Sequence, residues 1–244
     1  MKTLILKRVC LMAVLAVSVN SCAQFNKNAI NGNGDITTIK RTTSTYDGIK
    51  CSGSMDFVLV QGTEGNITIQ GESNLLPYIE TEVHSNVLIV KVKDGVNIKT
   101  TNRDIVITIP FETISEVSLT GSGDLVNKNT INAEELKVGI TGSGDVILDV
   151  ITLTSKASIT GSGDLTLKGK TENLEVNVTG SGDFHGFGLE SKITDVSVTG
   201  SGDAEVVSSE SIKGRVSGSG DITYKGNPAK EDTKVSGSGS IEMN

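Results

Sequence analysis

The chain has 244 residues, with 22 Lys+Arg against 29 Asp+Glu, 28 Gly, 3 Pro, no Trp and only 3% aromatic residues. Removing a leader of residues 1–21, which holds Lys2, Lys7 and Arg8 and no acid, moves the net charge from −7 to −10. That charge repels phosphate backbones, and the aromatic rings needed to stack bases are scarce, so nucleic acid is excluded as a partner.

In chain order, the first segment, Met1 to Cys22, has a basic start, an apolar run from Val9 to Val19 and a small residue before Cys22. This is the pattern of a secretory leader, and its apolar run is too short for a spanning helix. Val19-Asn20-Ser21-Cys22 resembles a bacterial lipobox, which makes Cys22 the expected lipidation site and the acyl chains the membrane anchor. Asn20 is atypical of that motif, and ordinary signal-peptidase cleavage with release into the periplasm is the alternative. Residues 22–35 then form a tether and a first turn. Cys10 falls in the leader, so Cys51 is the one thiol left once Cys22 is acylated, and no intrachain disulfide framework can form. Cys51 reads as an inward, inert strand residue.

Residues 36–120 are β-rich but irregular: Phe57 to Val60, Ile67 to Ile69, Val87 to Val92 and Ile105 to Ile109 alternate or run apolar. Ser73 to His84, with Pro77 near its start, reads as a short helix inserted among these early coils. Residues 121–244 are a regular repeat. Gly121-Ser122-Gly123-Asp124 recurs from Gly142, Gly161, Gly180, Gly200 and Gly218 and closes at Gly237-Ser238-Gly239-Ser240. Two looser copies precede it, Gly32-Asn33-Gly34-Asp35 and Gly53-Ser54-Met55-Asp56, which places the start of the repeat near the tether.

Two columns flank the tetrapeptide and are apolar in every copy. One holds Leu119, Ile140, Ile159, Val178, Val198, Val216 and Val235; the other holds Leu125, Val146, Leu165, Phe184, Ala204, Ile222 and Ile241. Cys51 and Phe57 take the same two places in the earlier copy. A period near 19 residues fits one coil made of strand, glycine turn, strand and variable return loop, with equivalent strands stacked at about 4.8 Å. The expected fold class is all-β, a parallel β-solenoid over 36–244.

The leader, the run from Gly48 to Gly62, Asn74-Leu75-Leu76 and the Gly-Ser-Gly-Asp series resemble the head GIN domain family of autotransporter adhesins, which is typical of Bacteroidetes. The resemblance implies a right-handed β-helix similar to pectin-lyase folds and a role in adhesion. It carries no catalytic motif, so no residue inherits a catalytic role.

Six equivalent Asp residues (Asp124, Asp145, Asp164, Asp183, Asp203, Asp221) should form a file in which neighbours repel by about 1 kcal/mol in water and about 3–4 kcal/mol at an effective dielectric of 20. Carboxylates bonding backbone N–H groups in their own turns would offset this. Calcium, as in Gly- and Asp-rich β-rolls, is the alternative, but the return loops lack the second copy of the motif that would complete the cage. No catalytic, cofactor or metal residues are expected: the file is repetitive where an active site is singular, and His84 and His185 read as surface residues.

Function therefore reads as a lipid-anchored, non-catalytic binding or adhesion module of the cell envelope, at the outer membrane, with a glycan or surface protein as partner. A structural envelope spacer or assembly protein is the alternative, and a carbohydrate-active enzyme trails both. The last coil, ending Gly239 to Asn244, predicts an edge that contacts either another copy, giving a homo-oligomer, or a partner protein.

Overall fold

Alternation of period two on both sides of a glycine turn produces short strands, and the constant repeat places equivalent strands over one another. The computed structural model describes residues 29–101 and 104–244; the leader and Cys22 lie outside them. The irregular half contains β1 (Ile30–Asn31), β2 (Ile36–Thr42), β3 (Gly48–Gly53), β4 (Asp56–Gln61), β5 (Asn66–Glu72), a 3₁₀ turn (Leu76–Tyr78), β6 (Ile79–His84), β7 (Val87–Val92), β8 (Ile98–Lys99) and β9 (Val106–Phe111). The regular half follows as β10 (Glu116–Gly121), β11 (Leu125–Asn127), β12 (Ile131–Gly142), β13 (Val146–Gly161), β14 (Leu165–Gly180), β15 (Phe184–Glu190), β16 (Ile193–Gly200), β17 (Ala204–Val207), β18 (Ser211–Gly218), β19 (Ile222–Lys225), β20 (Lys230–Gly237) and β21 (Ile241–Met243).

The result is a parallel β-solenoid with coils of about 19 residues. Leu119 pairs with Ile140, Ile140 with Ile159, Ile159 with Val178, and the column continues in register to Val235. The second column runs likewise from Leu125 to Ile241. Every member is buried except the last of each. Cys51 and Phe57 sit in register with Leu119 and Leu125 and are also buried.

The turn explains its glycines in two ways. Gly161 has φ +126°, a conformation that suits glycine, whereas Gly163 is needed for closeness, because a Cβ there would lie 2.1 Å from the Gly144 carbonyl oxygen. That closeness lets each first glycine's carbonyl accept two N–H groups from the next coil: Gly142 accepts from Ser162 at 2.8 Å and Gly163 at 3.1 Å.

Several expectations are corrected. Ser73 to His84 is not a helix: only Leu76–Tyr78 is helical, and Ile79–His84 is a strand antiparallel to β7. The alternation of Ile79, Thr81 and Val83 with Glu80, Glu82 and His84 decides this. Ser85 and Asn86, both at positive φ, close a tight hairpin. Gly32-Asn33-Gly34-Asp35 is not a coil turn either. The strand before it pairs with β8, and the one after it runs antiparallel to β5. The return side also differs from a loop, since Thr152 pairs with Thr171 and Thr154 with Asn173 within the ladder.

The layers do not stack in chain order. β3 lies between β7 and β10, and β4 between β9 and β11, so the Gly48–Gln61 coil is covered on both sides by later chain. Beyond this layer, β6 is antiparallel to β7, and β5 and then β2 extend antiparallel from β9.

Candidate functional site

A repeat this regular presents the same chemistry in every coil, so a distinct site must come from its irregularities. The tetrapeptide starts at 142, 161 and 180 are 19 apart, but the next intervals are 20 and 18. The extra residue of the longer coil enters as a register shift between β14 and β15, where Thr166 faces His185 but Lys168 faces Gly188. Bulges of this kind bend a strand locally. The displaced Phe187 ring lies under the Lys225 ammonium, 3.7 Å from its centroid.

Beneath the return side the inward residues are hydroxyls. Thr152, Ser155, Thr171, Ser191, Thr194 and Ser208 are all buried. They are satisfied by one another and by nearby carbonyls: Thr152 Oγ1 donates to Thr171 Oγ1 at 2.9 Å, Thr171 Oγ1 donates to the Asn173 carbonyl at 3.0 Å, Ser191 and Thr194 hydroxyls meet at 2.7 Å, and Ser208 Oγ donates to the Ser211 carbonyl at 2.7 Å. With its proton committed to Thr171, Thr152 accepts from the Ser155 hydroxyl, 2.7 Å away. This polar lining holds the return side rigid.

Above it runs a groove of about 550 Å³ bounded by Leu153, Lys170, Glu172, Glu190, Lys192, Val207 and Ser209. Its charges are paired across coils: Lys170 Nζ lies 3.1 Å from Glu190, and Lys192 Nζ lies 2.7 Å from Glu172. The Glu172 carboxylate, through its hydrogen bond, holds the Lys192 ammonium above its ordinary range. Leu153 is 52% exposed; Ile151, paired with Lys170 on the adjacent coil, is 50% exposed, and Ile193, paired with Asn173 next to Glu172, is 46% exposed. Exposed aliphatic residues gathered beside a concavity mark an interaction surface.

The structure places the sequence-predicted features as follows. The Asp carboxylates do not cap their own turns: Asp145 Oδ1 accepts the Asp164 N–H at 3.0 Å, Asp164 the Asp183 N–H at 2.8 Å, and Asp183 the Asp203 N–H at 2.7 Å. The carboxylates from Asp145 to Asp221 thus bond the following coil, because the stacked backbone brings that N–H within reach. Cys51 is buried and burial pushes its thiol up. His84 is exposed and His185 half-buried, and they lie beside Glu82 at 2.9 Å and Glu205 at 3.5 Å. Cys22 lies outside the described residues. The groove was not foreseen; the uneven 20 and 18 spacings were its one sequence signal.

Residues 45–228 match the family described as "Putative auto-transporter adhesin, head GIN domain". Among curated proteins none matches the sequence. The chain is similar to a solved structure from Bacteroides fragilis named "putative adhesin", at 23% identity and TM-score 0.83, over 88% of this chain and 100% of that one. A Parabacteroides distasonis structure named "putative lipid binding protein" is 23% identical with TM-score 0.74, over 89% of this chain and 100% of that one. Another from the same species, named "putative adhesin", is 25% identical with TM-score 0.73, over 89% and 100% of the two chains.

Proposed function

The chain belongs to the head GIN domain family of auto-transporter adhesins, and from that premise we propose that it is a lipid-anchored, non-catalytic adhesion module of the cell envelope. The observation that carries this reading is the Leu153 groove, an interrupted, partly apolar strip on the regular half of the solenoid. Regular stacking supplies a rigid support, and the strip supplies a place for a partner. A non-catalytic role is supported by the ion pairing of the groove's lysines and glutamates and by the Asp carboxylates' bonds to backbone N–H groups.

Among the described residues no helix is long and apolar enough to cross a membrane, and the anchor in this reading is an acylated Cys22. Few residues separate Cys22 from Ala29; seven residues span at most about 25 Å, which keeps the β1 end of the solenoid near the lipid. Cys22→Ser should move the protein from washed membranes to the soluble fraction, and retention of the variant after normal leader removal would overturn the anchor. Adhesion is tested by coating beads with the Cys22→Ser protein and measuring capture on glycan arrays, extracellular proteins and lipid vesicles, the last because one relative carries a lipid-binding name. Capture by none of these surfaces, from a folded protein, would favour the structural spacer.

A further inference from the structure

We propose that the Leu153 groove takes a segment of a neutral oligosaccharide; this rests on reading the chain as a binding module and adds the site and the ligand class. Charge is the first argument. Lys170 and Glu190 neutralise each other, as do Lys192 and Glu172, so a polyanion or polycation finds no net field to bind. A ligand rich in hydroxyls gains from both signs, donating to the carboxylates and accepting from the ammonium groups.

The backbone gives the second argument. The backbone of the floor is largely committed: Thr152 pairs with Thr171 in the ladder, the Lys192 N–H donates to the Glu172 carbonyl and the Ser209 N–H to the Ser191 carbonyl, so an extended peptide finds few main-chain groups with which to add a strand. Polar groups of an occupant must be met by side chains along the two walls, which suits hydroxyls placed on both sides of a sugar chain. Shape gives the third. The groove runs across successive coils from Leu153 to Val207, roughly 14 Å at about 4.8 Å per coil, room for about three pyranose units. Leu153 at one end and Val207 at the other offer aliphatic surface to the C–H faces of the sugar rings.

The experiment uses the full chain carrying Cys22→Ser, titrated by NMR with neutral β-linked oligosaccharides (cello-, xylo- and chito-oligomers) and with anionic oligogalacturonate. Neutral trimers and longer oligomers should bind, and Leu153→Asp should weaken them at least tenfold. Because Leu153 is half exposed, this variant should keep its melting temperature. Glu172→Lys should shift preference toward oligogalacturonate, and Ser158→Asp, away from the groove, should change nothing. Neutral binding that survives both Leu153→Asp and Val207→Glu would remove the groove as the site. Binding of oligogalacturonate alone by the unaltered groove would overturn the ligand class. Loss of the carbohydrate result with capture on proteins or vesicles intact would sink this proposal and leave the adhesion module standing; loss of all capture would sink both.

Discussion

An aspartate that bonds the next coil contributes to stacking, and its charge is incidental to that bond. Asp164 accepts the Asp183 N–H, so Asp164→Ala should cost about 1 kcal/mol, or about 2–4 °C in a chain of this size. Asp164→Asn keeps an acceptor and removes a repulsion, so its melting curve should overlay or exceed the parent's; equal losses in both variants would mean the acceptor is not what matters. Glu72 is buried and accepts from the Gly34 N–H at 2.6 Å and from the Thr101 hydroxyl and N–H at 2.6 and 3.0 Å. These bonds, led by the Thr101 hydroxyl, hold its carboxyl below the usual range against the opposing effect of burial. A depressed folded value means the contribution is present above the ordinary Glu range near 4.3 and is lost as pH falls through the lower folded value. Limited proteolysis of the 29–34 segment should therefore be flat from pH 7 to 5 and rise only below about pH 4, while Glu72→Ala should expose that segment at neutral pH. The Asp file was legible in the sequence because it repeats. The direction of its bonds was not, since spacing gives a column and not a rotamer. Glu72 was invisible, because Gly34 and Thr101 lie far from it in the chain with no pattern linking the three.

At the level of elements, register decides which substitutions matter. Ile159 is buried between Ile140 and Val178, while Ser158 points outward beside it. Ile159→Asp buries an unpaired charge and should lower the melting temperature by about 10 °C or more, whereas Ser158→Asp should stay within about 2 °C by the usual size of surface effects. Gly163→Ala should resemble the first, since its methyl meets the Gly144 carbonyl; a neutral Gly163→Ala in thermal melts would show that the coils can separate at the turn. The strands flanking Gly-Ser-Gly-Asp were readable because their inward positions are apolar in each copy. The return side was misread as loop because its inward positions are Thr152, Thr171, Ser191 and Ser208, whose hydroxyls bond within the stack and look like surface in a sequence. Ser73 to His84 was misread because Pro77 suggests a helix start while the deciding partner, β7, is reached only through the hairpin.

The whole molecule has two different ends. At one, antiparallel β2 and β6 cover the stack; at the other, β20 is exposed along its length. Its inward register places Glu231 over Ile212 and Thr233 over Gly214, with only Val235 continuing the apolar column. The Lys230-Glu231-Asp232-Thr233-Lys234 run thus supplies the charge that discourages edge pairing, more than Glu242 alone would. Glu231→Leu with Thr233→Val should raise the apparent mass in light scattering. An oligomer already present without these changes and dispersed by Ile241→Lys would instead place a self-contact at this edge. The other end has a consequence for assembly in time. The Gly48–Gln61 coil is enclosed by β7 and β9 on one side and β10 and β11 on the other, all of them later in the chain, so a chain emerging from its N-terminus cannot close its first layer until about residue 111 has appeared. That seed is slow to form, since its contacts are distant in sequence, but every coil after it adds to a finished template. Duplicating or deleting one repeat then changes the height of the molecule by about 4.8 Å without disturbing the seed, and how far the outermost coil stands from the β1 end becomes a quantity adjustable in unit steps.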